Sequence, residues 1–115
     1  MTDIELIKNG VKYADGFEFI RKQDDDEHYV GFDNRAGDYF SVGNYDRFVY
    51  PLFLQRVIEG INKEGVFEVV QYCNRIEVYE IDNSEYVEIF YFGGETPIDQ
   101  AKRSAIEYVL EQEGE

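Results

Sequence analysis

The chain has 115 residues, of which 25 are acidic, 11 basic and one a histidine, giving a formal net charge of −14 at pH 7. A composition of 43% hydrophobic and 17% aromatic residues excludes a disordered acidic chain and suffices for one packed domain over 1–115 without disulfide or metal staples. The sign of the charge argues against direct binding to nucleic acid or to an anionic membrane, and favours cationic proteins or metal ions as company.

The one cysteine, Cys73, allows no internal disulfide and fits a reducing compartment. The opening MTDIELIKNG carries two acids and no apolar run of signal-peptide length. No stretch approaches the roughly 20 apolar residues of a membrane-spanning helix. The expectation is a cytoplasmic protein.

In chain order, TDIELIKNG supports two readings. Thr2 with Glu5 forms a capping box, Ile4 and Ile7 share a face, and Gly10 stops a short helix. Alternatively, Asn9-Gly10 is a hairpin turn pairing Ile4–Ile7 with Val11–Ala14; the helix is preferred. Ala14-Asp15-Gly16 turns, and a strand over Phe17–Lys22 places Phe17 and Phe19 on one face. The run Gln23–Glu27 has no apolar residue and joins it to a second strand, His28–Asp33, followed after Asn34–Gly37 by a third, Asp38–Val42.

Asn44–Gly65 reads as the central amphipathic helix, capped by Asn44 or Asp46, with Leu52, Phe53, Val57, Ile58 and Ile61 as its buried stripe. Pro51 is tolerated only in a first turn, so the helix starts near Tyr50. Strands over Val66–Cys73, Ile76–Asp82 and Glu85–Phe92 follow at hairpin spacing, hence antiparallel. The last has apolar residues on both alternate sets apart from Glu88, which predicts a central strand covered on both faces. Gly93-Gly94 ends it, and Thr96-Pro97-Ile98-Asp99 opens a final helix burying Ile98, Ala101, Ala105, Ile106, Val109 and Leu110.

The fold predicted is therefore α+β: an antiparallel sheet of about five or six strands, two main helices on one face, and a short N-terminal helix. GFEFIRK from Gly16 aligns with VFEVVQY from Val66, so the halves 16–65 and 66–115 could be a βββα pseudo-repeat, although two meanders match by chance about as readily.

No motif supplies a nucleophile with its base, an acid–base pair or a metal set, so no enzyme and no cofactor are expected. His28 lacks a partner ligand or nucleophile motif and reads as a surface residue at a strand start; Cys73 reads as a small half-buried hydrophobe. Gly93-Gly94 lacks a nearby cation and fits a turn better than a phosphate loop. The acids Asp24, Asp25, Asp26 and Glu27 are either a solvated hairpin tip or an anionic finger for an Arg/Lys-rich groove, and lack the alternation of a calcium loop. Glu77, Glu80, Asp82, Glu85 and Glu88 read first as ordinary exposed sheet positions. Strand alternation sets Glu77 on the opposite face from Glu80, so these acids cannot all line one surface; if Glu80, Asp82 and the tip acids Asp24–Glu27 gather along one edge, their spacing could imitate a run of phosphates.

Ten tyrosines, Tyr29 and Tyr79 among them, exceed what the core must hold and should group at an interface. The function expected is a non-enzymatic inhibitor of a cationic, nucleic-acid-acting protein such as a nuclease, in the manner of an immunity protein or of an anti-defence nucleic-acid mimic. Asp24–Glu27, Tyr29, Tyr79, Glu80, Asp82 and Glu85 would form its contact surface, on a monomer or a homodimer. The alternative is a small-molecule or peptide binding module whose charge serves only solubility.

Overall fold

A computed structural model describes residues 1–21, 28–32, 38–82 and 85–113, with backbone alone for 21, 28–32, 85 and 86. Helix α1 (Asp3–Gly10) forms as its capping box dictates: Glu5 N–H donates to Thr2 Oγ1 at 3.3 Å and Thr2 N–H donates to Glu5 Oε2 at 3.2 Å. The hairpin alternative at Asn9-Gly10 is thereby displaced, and the chain continues through a 3-10 turn, Val11–Tyr13.

Strands β1 (Phe17–Arg21), β2 (His28–Phe32) and β3 (Tyr39–Ser41) pair as one antiparallel meander in the order β1-β2-β3. Helix α2 (Val49–Glu64) follows, then β4 (Phe67–Gln71), β5 (Arg75–Glu80) and β6 (Glu85–Tyr91), a second antiparallel meander in the order β4-β5-β6. Helix α3 (Ile98–Glu113) closes the chain. The architecture is α+β, with its strands divided between two three-stranded sheets instead of one continuous sheet. Antiparallel hairpins satisfy their hydrogen bonds locally, so nothing in the strand spacing obliged the two meanders to join. No helix among the described residues is long and apolar enough to cross a membrane.

Asp46 starts α2. Its carboxylate accepts from the N–H of Phe48 at 2.8 Å and of Val49 at 2.9 Å, which places Pro51 in the first turn where its missing donor is harmless. Gly65, at φ 85°, ends the helix in the left-handed conformation. The buried stripe is Phe53, Leu54, Val57, Ile58 and Ile61, and Leu52, expected inside, is 39% exposed. At about 100° per residue, Leu54 falls in the middle of the arc from Phe53 to Ile58, and Leu52 falls on the far side.

At the centre Phe53 meets Phe17 edge-on, with ring centroids 5.3 Å apart, and Phe40 at a tilt, 5.4 Å apart. α2 and α3 both pack on the face of the second sheet that carries Val69, Ile76 and Val78, which are all buried. β6 lies at the edge of this sheet, so its expected central position is corrected. A bulge explains the misleading pattern: Val78 pairs with Glu88 while Tyr79 pairs with Tyr86, leaving Val87 as the extra residue. Val87 packs on the core, and so do Phe90 and Phe92, so the inward set changes from odd to even numbers across the bulge.

Candidate functional site: the bare face of the second sheet

The β4–β5 hairpin has a loop of only Cys73 and Asn74, because Tyr72 N–H donates to the Arg75 carbonyl at 2.8 Å. That register fixes which side chains share the face turned away from the helices. Glu68 stands opposite Tyr79; Val70, Glu77 and Ile89 form the next row; Arg75 stands opposite Tyr91, with Tyr72 closing the hairpin beside it. Among the described elements α2 and α3 make the main packing on this sheet, both from the other side.

Glu77 is 7% exposed although it points away from the core. Its neighbours bury it. Tyr79 donates to its Oε2 at 3.1 Å, and Arg75 Nε lies 3.7 Å from its Oε1. The Arg75 guanidinium lies 4.4 Å above the Tyr72 ring and donates to Asn74 Oδ1 at 2.9 Å. A hydrogen bond with Tyr72, together with desolvation and the Glu77 carboxylate, pushes the Tyr79 phenol well above its ordinary value. A buried carboxylate is tolerable because it is both paired and hydrogen-bonded. The result is a platform of three tyrosines around one ion pair, with Tyr91 64% and Tyr72 37% exposed.

Of the residues expected to bind a partner, Tyr79 lies on this platform. Glu80 is half-buried on the opposite face, across from Phe67, and Asp82 is exposed in the turn after β5. Glu85 and Tyr29 are placed by backbone only, Glu85 opposite Glu80 and Tyr29 between Ile20 and Ser41. Asp24, Asp25, Asp26 and Glu27 lie outside the described residues. Two readings of single residues are corrected. Glu77 is buried where an exposed sheet position was expected, and Cys73 is exposed where a half-buried one was, because it occupies the tight hairpin loop. Tyr72 and Arg75 were missed as site residues; the signal was the two-residue turn Cys73-Asn74, which makes them cross-strand neighbours.

Away from this platform, a concave region of about 550 Å³ lies between the Tyr45–Tyr50 pair and α3 and is lined also by Asp99, Gln100, Arg103 and Glu107. The two rings stack with centroids 4.3 Å apart, and burial pushes the Tyr50 phenol up to about 12. Arg103 is paired with Asp3, whose carboxylate also accepts from the Tyr45 hydroxyl at 3.2 Å. No group of three or more His, Cys, Asp or Glu side chains among the described residues is arranged to hold a metal ion. In comparisons with known proteins, no family model, no curated protein and no solved structure matches this chain.

Proposed function

We propose that this protein binds and inhibits a cationic partner, one that handles nucleic acid, by covering the partner's basic surface and without chemistry of its own. The observation that carries the reading is the bare tyrosine platform of the second sheet on a chain of net charge −14. Tyrosine supplies area at low entropy cost, and exposed carboxylates at Glu68, Asp82 and Glu88 speed and orient the encounter. Asp82, exposed in the turn after β5, and the acids Asp24–Glu27 would add to that attraction and imitate phosphates for the partner, whereas Glu80 and Glu85 stand on the other face of the sheet and would act only through the overall charge. Nuclease toxins and defence nucleases are partners of the required charge, which would make the protein an immunity protein or an anti-defence inhibitor.

The test is a tagged pull-down from the native cell or a competitor's lysate, washed at rising salt and read by mass spectrometry. One basic nucleic-acid-acting protein released as salt rises supports the reading; a partner held equally at all salt concentrations sinks it. A second reading, a small-molecule module, is favoured by the Tyr45–Tyr50 cavity, whose volume suits a metabolite. A ligand that raises the melting temperature in a metabolite screen, and fails to do so in Tyr50→Ala, would support it.

The two halves, 16–65 and 66–115, each run through three strands into a helix, and we propose that they descend from a duplicated βββα unit. In newly sequenced relatives the similarity of Phe17–Arg21 to Phe67–Gln71 should then increase; a decrease counts against duplication.

A further inference from the structure

We infer that the platform reads arginine in preference to lysine on its partner, and that the guanidinium seat is the cross-strand pair Glu68–Tyr79. The inference rests on the interaction reading above and names the group that is recognised. The face is polarised. At one end Arg75 neutralises Glu77 and occupies the Tyr72 ring. Two rows along the strands, about 13 Å of backbone, Glu68 is exposed directly opposite Tyr79 with no basic residue on its row, while the Tyr79 hydroxyl reaches back to Glu77 and Tyr72. Cross-strand neighbours stand about 5 Å apart, so a planar cation lying on the Tyr79 ring reaches the Glu68 carboxylate.

The charge of −14 attracts lysine and arginine alike, so discrimination must come from the ring. A guanidinium is planar and weakly hydrated, stacks on aromatic faces and pairs with a carboxylate through two parallel N–H bonds, whereas an ammonium is a strongly hydrated point charge. The chain already uses this mode itself: Arg75 stands 4.4 Å above Tyr72 and Arg47 stands 4.8 Å above Phe48, whereas the ammonium of Lys12 stands 5.1 Å above Tyr13. Tyr91, 64% exposed at the Arg75 end, supplies apolar area to whatever residue flanks the arginine.

The test titrates the full chain with hexa-arginine and hexa-lysine peptides at one fixed salt concentration, by calorimetry or amide chemical shifts. The arginine peptide should bind about fivefold more tightly. Tyr79→Leu, which keeps an apolar cover over Glu77, should remove that preference and leave the lysine peptide's affinity unchanged; Glu68→Gln should weaken both peptides and the arginine peptide more. Circular dichroism confirms that each variant folds. Equal affinity for the two peptides, a preference that survives Tyr79→Leu, or no binding of either peptide overturns the inference. A basic partner recovered by salt-sensitive pull-down from a protein without arginine preference leaves the inhibitor reading standing and removes only this one.

Discussion

The Asn62 side chain bonds both backbone groups of Val69, accepting from its N–H at 2.7 Å and donating to its carbonyl at 3.1 Å. β4 is an edge strand, and the amide from α2 does for Val69 what a further strand would otherwise do. Asn62→Ala leaves two backbone groups of a residue only 6% exposed without partners. We expect a loss of about 1–3 kcal/mol in the free energy of unfolding, read as a lower denaturant midpoint at unchanged slope.

Gly60 is set against the 3-10 turn so closely that a Cβ there would fall 2.0 Å from the Tyr13 carbonyl oxygen. Glycine to alanine inside a helix ordinarily stabilises by about 1 kcal/mol. Here the obstacle is backbone and cannot rotate away, so Gly60→Ala should instead destabilise by about 1–3 kcal/mol. A rise in melting temperature would show that the turn yields freely.

The carboxylate of Asp46 is held below its ordinary value of 3.8 by the N–H groups of Val49 and Phe48 that it accepts. A depressed folded pKa contributes stability above the unfolded value, and that contribution is lost as pH falls through the folded value. Asp46→Asn keeps an acceptor for the helix start and removes the titration. Wild type should therefore lose stability relative to Asp46→Asn below about pH 4, in paired denaturation curves between pH 6 and pH 2. Parallel curves over that whole range would contradict this.

Tyr50 gives the opposite sign. Burial raises its phenol from 10.0 to about 12, so its contribution is complete below pH 10 and is lost as pH rises toward 12, because the unfolded chain ionises first. Tyr50→Phe should lose less stability than wild type between pH 10 and pH 12. Absorbance at the phenolate wavelength should show one fewer late-titrating tyrosine in that variant.

Much of the fold was legible because it is locally encoded. Thr2 with Glu5, Asp46 ahead of Pro51, and Gly65 all lie within one turn of the helix end they specify. The alternation that put Phe17 and Phe19 inward needed only the strand period. Leu52 lies outside because, at about 100° per residue, Leu54 and not Leu52 falls on the arc of Phe53, Val57, Ile58 and Ile61. The burial of Glu77 was not legible, since it depends on Tyr79 folding over a neighbour two residues away and on Tyr72 and Arg75 arriving from across a hairpin. The composition of the platform followed from register, and register rests on the turn at Cys73-Asn74 and on Val87, neither of which a period-2 reading detects.

β6 has a second way to lie against β5. Without the bulge, Val87 would face Val78, Ile89 would face Ile76, and Ile89 and Tyr91 would be buried in place of Phe90 and Phe92. Both alignments bury apolar side chains, so hydrophobicity barely chooses between them. Charge does: the slipped alignment sets Glu88 directly opposite Glu77, two carboxylates facing each other across a strand pair, while the native one leaves Glu88 exposed. Glu88 thus acts as a register lock, stabilising the native sheet through a pairing the native sheet never makes. In Glu88→Val the two alignments should coexist, visible as doubled amide resonances from Ile89 to Tyr91; single sharp resonances there would assign the lock to some other residue.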